Sequence, residues 1–237
     1  MALPKLNETI RYEIEIPSTG KTIKYRPYLV KEEKVLLTAF ESGDQKQTLE
    51  TVVDTIEACV YSKLQRNKLT TFDIEYLFMQ IRSKSVGEIS TVGLSCSECD
   101  TVNEIQVDVS EVVVKKSESV DNTIDIVDNI KVRMRYPSFL DLAYVTSSKE
   151  DKNDNDVAFD LLSSCVEAVI TDDEEILAED ESKEAMREFV ESMTTGQISK
   201  LTEFMDSVPK VAHDVSFTCQ SCGSLNTKTI EGMQNFF

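Results

Sequence analysis

Two stretches, GLSCSECDTV at residues 93–102 and SFTCQSCGSL at residues 216–225, each carry a Cys-x-x-Cys pair between short strand-like flanks. A tight turn of this kind aims two sulfurs at one point, so these pairs constrain the fold more than any other feature of the chain. Cys96 and Cys99 form one pair and Cys219 and Cys222 the other, with 119 residues between Cys99 and Cys219. Three readings compete: a shared metal, unpaired thiols, and disulfide or redox chemistry. Two knuckles complete a tetrahedron of thiolates around zinc, with Zn–S about 2.3 Å; such a site is closed and therefore structural. A thioredoxin-type pair opens a helix after a strand, whereas Ser97 and Glu98 lie inside a strand–turn–strand pattern. Shared zinc, about one ion per chain, leads among the three. The long separation between the pairs argues against a simple zinc ribbon.

Internal duplication would repair that objection. In the first half, Tyr12, Ile14 and Ile16 alternate before a Pro-Ser-Thr-Gly turn, and Ile23 and Tyr25 alternate after it. This is a β-hairpin signal. Val35, Leu36, Ala39 and Phe40 follow at helical spacing with Gly43 as a stop. Leu49, Val52, Val53, Ile56 and Val60 mark a second helix with Cys59 beside its stripe. Ile74, Leu77, Phe78 and Ile81 mark a third helix before the first knuckle and a strand with Ile105, Val107 and Val109.

The second half repeats the order. Ile124 and Ile126, a Val-Asp-Asn turn, then Ile130, Val132, Met134 and Tyr136 predict a hairpin before Pro137. Helices follow from Phe139, over Leu161, Leu162, Cys165 and Val169, over Met186, Phe189, Val190 and Met193, and from Thr194, with Gln197 at capping-box spacing. Pro27 to Cys59 is 32 positions and Pro137 to Cys165 is 28. The predicted fold is therefore α+β, with two similar halves of β-hairpin plus helices, each ending in a Cys-x-x-Cys hairpin. The divisions are 1–110, a connector at 111–122 (EVVVKKSESVDN), and 123–237. The excess length of the second half falls on TDDEEILAEDES, residues 171–182, which reads as a solvated acidic excursion.

Several functions are disfavoured. With 43 acidic and 25 basic residues the formal charge is -18, which suits neither phosphate backbones nor anionic lipid. No apolar run approaches the roughly 20 residues of a membrane span. MALPKLNETI lacks the charged and apolar regions of a secretory signal; the expectation is a reducing compartment, where paired cysteines serve metal or redox chemistry. His213 is the only histidine, six residues before Cys219, and no Gly-x-Ser-x-Gly motif accompanies it; a nucleophilic triad is not expected. Asp151, Asn153 and Asn155 alternate like calcium ligands, but Asp156 stands where the loop needs glycine and Leu162 where it needs glutamate. Cys59 and Cys165, on apolar helix faces, read as buried small hydrophobes.

The opening MALPKLN, the stretch IPSTGKTIKYRPYLVKEEKVLLTAFESGD, the helix TFDIEYLFMQIRSKSVGE and the ending PKVAHDV…GMQNFF carry a resemblance. They resemble the baseplate hub subunit family of T-even-type contractile-tailed bacteriophages, most densely in residues 1–90. The resemblance implies a non-enzymatic protein that acts in assembling the hub at the distal end of the tail. Its partners would be other hub or tail proteins, met in the host cytoplasm during assembly, and its place the virion tail baseplate. No catalytic residue carries over, and zinc at Cys96, Cys99, Cys219 and Cys222 rests on this sequence alone. An assembly chaperone absent from the virion is the alternative; a zinc-ribbon nucleic-acid-binding or regulatory protein is disfavoured by charge. Within the resembling stretch, Lys31, Glu32, Glu33 and Lys34 read as surface, and Tyr28 at the hairpin-to-helix corner either staples it or anchors a partner. Tyr28, Lys34 and the helix at 72–84 are the expected docking face.

Overall fold

The computed structural model describes residues 11–116, 121–148 and 153–236. The opening residues 1–10, part of the 111–122 connector and Asp151 of the rejected calcium loop lie outside the described residues. Among the described residues the first elements are β1 (Tyr12–Ile16), β2 (Lys21–Tyr25), α1 (Val30–Ser42), α2 (Gln45–Cys59) and α3 (Thr71–Ser85). Next come β3 (Ile89–Ser95), β4 (Val102–Asp108), β5 (Val113–Lys115), β6 (Thr123–Val127), β7 (Ile130–Met134), α4 (Phe139–Ser148) and α5 (Asp154–Ser164). It closes with β8 (Val166–Thr171), β9 (Glu175–Leu177), α6 (Lys183–Glu191), α7 (Thr195–Asp206), β10 (Lys210–Thr218) and β11 (Leu225–Glu231). The architecture is α+β, as predicted.

Two compact units divide these elements. The first comprises Met1–Gln65, Phe72–Lys115 and Lys210–Phe237; the second comprises Arg66–Thr71 and Lys116–Pro209. The chain thus leaves the first unit inside the predicted 111–122 connector. Residues 210–237, grouped by the sequence with the C-terminal half, belong with the first unit. The cause is strand pairing: β10 pairs antiparallel with β5, Val211 opposite Val114, as well as with β11.

In the first unit, β1 and β2 pair with Ile14 opposite Ile23 and Tyr12 opposite Tyr25. Alternation sends Ile14, Ile16, Ile23 and Tyr25 inward. Gly20, at φ 68, supplies the left-handed residue of the turn, and the Thr19 and Gly20 N–H groups donate to the Ile16 carbonyl. The Ser18 N–H donates to Asp73 Oδ1 at 2.9 Å, tying the turn to α3. Gly43 ends α1 at φ 70, and Asp44 accepts from the Lys46 and Gln47 N–H groups to start α2. Val52, Val53, Ile56 and Cys59 of α2 and Phe72, Ile74, Leu77, Phe78 and Ile81 of α3 are buried. The stripe predicted for α1 is corrected by the structure: Leu36 and Ala39 are buried, but Val35 is 58% and Phe40 39% exposed. At 3.6 residues per turn, Leu36 and Ala39 share the inward line while Val35 and Phe40 flank it. Val60 likewise leaves the helix as an extended residue bridged to Tyr25.

The second unit holds a four-stranded antiparallel sheet in the order β6-β7-β8-β9. Val169, placed on a helix by the sequence reading, instead pairs with Val132 on β7. Helix α5 stops at Ser164, and the β-branched run VEAVIT is a strand former. The acidic stretch is also more ordered than expected: Ile176 and Leu177 pair with β8, and Arg133 bonds both Glu167 and Glu175. Met134, Val166, Val190, Leu201 and Phe204 form the core, with Tyr136 stacked on Phe204 at 5.4 Å between ring centroids. Thr194 and Gln197 form the predicted capping box of α7.

One arrangement occurs in both units. In the first, the Arg26 N–H donates to the Cys59 carbonyl at 2.9 Å and Arg26 Nη2 to the Ala58 carbonyl at 3.0 Å. Arg26 also pairs with Glu32, six residues on, whose other oxygen accepts the Leu29 N–H at the start of α1. In the second, the Arg135 N–H donates to the Cys165 carbonyl at 2.8 Å and Arg135 Nη2 to the Ser164 carbonyl at 2.6 Å. Arg135 pairs with Asp141, again six residues on, which accepts the Ser138 N–H at the start of α4. Each arginine therefore fastens the end of a hairpin to the carbonyl end of the second following helix.

Candidate metal centre

Both knuckles are hairpin turns of the first unit. Ser95 pairs with Val102 across β3 and β4, and Thr218 pairs with Leu225 across β10 and β11. The Cys96 N–H donates to the Thr101 carbonyl at 2.9 Å, and the Cys219 N–H to the Ser224 carbonyl at 2.9 Å. The Asp100 N–H returns to the Cys96 carbonyl and the Gly223 N–H to the Cys219 carbonyl. Closing each turn takes one left-handed residue, Asp100 at φ 56 and Gly223 at φ 75. Aspartate and glycine are among the residues that accept this conformation.

These turns bring the predicted ligands together. The Sγ atoms of Cys96, Cys99, Cys219 and Cys222 all lie within 4.8 Å of one another. Across the knuckles, Cys96 is 3.7 Å from Cys222 and Cys99 is 3.6 Å from Cys219. A tetrahedron with metal–sulfur bonds of about 2.3 Å has edges of about 3.8 Å, so the donor set fits a four-thiolate metal. Cys96 and Cys219 are buried, and Cys99 and Cys222 are exposed. His213 stays outside the cluster.

Local donors lower two of the four thiols. The Ser224 hydroxyl, the Glu98 and Cys99 N–H groups and the Asn226 amide hold the Cys96 thiol down at about 5. Cys219 is lowered first by the Cys222 N–H, then by the Ser221 N–H and the Asn103 amide. Against the lowering pull of the Thr101 hydroxyl and N–H, neighbouring Cys222 and Cys219 raise Cys99. The two cysteines outside the cluster are raised by burial, Cys59 up to about 11 and Cys165 up to about 12. They are apolar packing groups, as the sequence suggested.

The sequence reading missed Asn103 and Asn226. Each follows its knuckle in the pattern Cys-x-x-Cys-x-x-x-Asn, a repeat visible in CSECDTVN and CQSCGSLN. Each crosses to the opposite knuckle. Asn226 Oδ1 accepts the Ser97 N–H at 2.8 Å, and Asn103 Oδ1 accepts the Gln220 N–H at 2.9 Å.

The expected partner residues lie elsewhere in the same unit. Tyr28 is half-buried; its N–H donates to Ser85 Oγ at 2.9 Å, and burial pushes its phenol up to about 12. Lys34 is exposed on α1, whereas no residue from 72 to 84 of α3 is exposed. In the second unit, a cleft of about 1060 Å³ is lined by Arg135, Asp141, Asp160, Lys183 and Arg187, among others. Arg135 there pairs with Asp141, and Arg187 with Asp160.

No curated protein and no solved structure matches the chain. The model of the family described as T4 bacteriophage base plate protein matches residues 8–237. The chain belongs to that family of phage baseplate proteins.

Proposed function

We propose that this protein is a non-enzymatic subunit or assembly factor of the baseplate hub, built around one structural zinc ion held by Cys96, Cys99, Cys219 and Cys222. Family membership carries a structural role in the phage tail baseplate and contacts with other tail proteins. The observation that supports the metal is the cluster of four sulfurs, all within 4.8 Å of one another, whose two contacts across the knuckles match the edges of a four-thiolate site; such a site has no open coordination position. Such an ion stabilises folds rather than reacting with substrates. Among the described residues, no helix is long and apolar enough to cross a membrane. In this reading the protein meets its partners in the host cytoplasm and, as a hub subunit, enters the virion tail with them.

The docking face in this reading is the outer side of α1. Val30, Lys34 and Leu37 fall at helical spacing, and all three are exposed. Phe40 flanks this line and extends its apolar part. Tyr28 fixes the corner from which the helix starts. A standard interface needs roughly 800 Å² per partner, so neighbouring surface contributes as well. Purified virions and infected-cell lysate analysed by mass spectrometry test the assignment. A hub subunit appears in both at constant stoichiometry to other baseplate proteins. Presence in lysate and absence from virions identifies an assembly chaperone instead. Lys34→Glu combined with Leu37→Asp is expected to lower incorporation at least several-fold while the chain stays folded; unchanged incorporation places the docking face elsewhere.

The matching arginine pairs and paired knuckles support a further element of the proposal, descent of the two hairpin–helix segments from one duplicated motif. Arg26 and Arg135 repeat the same hydrogen bonds to the residue before a buried cysteine and to an acid six positions on.

A further inference from the structure

We infer that Asn103 and Asn226 are positioning residues of the metal centre, exchanged between the knuckles so that neither half-site is complete without the other. This rests on the four-thiolate reading above. Each amide is engaged through both its oxygen and its nitrogen. Asn226 accepts the Ser97 N–H through Oδ1, and its Nδ2 donates to the Ser224 carbonyl at 3.0 Å and to Cys96 Sγ at 3.5 Å. Asn103 accepts the Gln220 N–H through Oδ1, and its Nδ2 donates to the Thr101 carbonyl at 2.8 Å and to Cys219 Sγ at 3.7 Å. Each amide is therefore anchored to its own turn and grips the first cysteine of the other. Asn103 is 1% exposed and Asn226 4%, so water does not compete for these bonds.

The chemistry requires an amide at both places. A divalent ion with four thiolates carries a net charge of −2, and hydrogen bonds to the sulfurs spread that charge. Residues 95–103 and 218–226 contain no lysine or arginine, so neutral N–H and O–H donors must do this. A carboxylate of the same shape would keep the Oδ1 acceptor, lose the donor and place negative charge against the sulfurs. Asparagine satisfies the backbone N–H and the sulfur at once. The exchange also sets the register of two hairpins whose cysteines are more than a hundred positions apart, because the Oδ1 bonds link Ser97 to Asn226 and Gln220 to Asn103 directly.

The test uses the full chain, stripped of metal under reducing conditions and titrated with cobalt(II) as a spectroscopic probe, followed by zinc against a competing chelator. Wild type should develop the sulfur-to-cobalt charge-transfer band of a four-thiolate site at one equivalent. Asn103→Asp and Asn226→Asp should each weaken zinc binding roughly 10- to 100-fold. They should also move the charge-transfer band to lower energy, because a sulfur without its N–H donor gives up its electrons more easily. Asn103→Ala and Asn226→Ala keep the test decisive if aspartate prevents folding; they should shift affinity and band in the same direction. Wild type that takes up no cobalt overturns the metal reading and this inference with it. Wild type that binds cobalt beside variants with affinity within about twofold and an unmoved band overturns only the positioning role.

Discussion

Arg135 illustrates how single side chains hold this fold. Its guanidinium satisfies a helix-end carbonyl and pairs with Asp141, whose side chain is only 8% exposed. Removing one partner of a buried pair leaves an uncompensated charge and typically costs 3–5 kcal/mol; the partial exposure of Arg135 lowers that. Arg135→Met should lower stability in urea by about 2–3 kcal/mol, while Arg133→Met, facing the exposed Glu167 and Glu175, should lower it far less, because solvent screens that cluster. Equal losses would contradict the burial argument. Glu75 gives a pH prediction. Burial pushes its carboxyl up to about 7, offset in part by the Met233 N–H. The folded chain therefore binds this proton more tightly than the unfolded chain. The group's contribution to stability is complete below the ordinary carboxylate range and is lost as pH rises through about 7. Glu75→Gln should flatten that slope and raise stability at pH 8 by roughly 2 kcal/mol, measured as urea midpoints from pH 4 to 8. The cysteines were legible at this scale because Cys-x-x-Cys is local. The arginines were not, because the helix-end carbonyls they reach lie 32 and 29 positions away, and the asparagines show only as a repeated spacing whose cross-knuckle partners lie 117 and 129 positions away.

At the scale of elements, hairpins and helix starts follow from local chemistry. Gly20, Gly43, Asp44 and the Thr194–Gln197 box stand where their conformations or side chains are needed. Misreadings arose where an apolar run fits two periods. Val169 lies four positions after Cys165 and suits a helix stripe, yet the chain turns extended at Val166. Similarly, charge density in 171–182 masked the pairing of Ile176 and Leu177 with β8. The metal reading makes a prediction for specific strands. Chelation should speed amide exchange first at residues 96–103 and 219–226, then along β10 and β11, and leave β6–β9 unchanged. Structural zinc in small sites is worth on the order of 10 kcal/mol in apparent terms, comparable with the stability of a whole domain. Uniform exchange across both sheets after chelation would show that the ion does not stabilise these hairpins specifically.

For the whole molecule, the decisive feature is a first unit assembled from separated pieces of chain. Residues 72–115 and 210–237 meet in it, and 116–209 lie between them in sequence. Linear reading divides the chain at its connector, because no local pattern announces that β10 will pair with β5. The two knuckles close this long excursion at one point. Native mass spectrometry of the chain purified under reducing conditions, with thiol titration of the folded protein, measures that closure most directly. The account predicts one zinc ion per chain and no reactive thiol among Cys96, Cys99, Cys219 and Cys222 until a chelator is added. A metal-free mass, with the exposed Cys99 and Cys222 reacting at once, would contradict it.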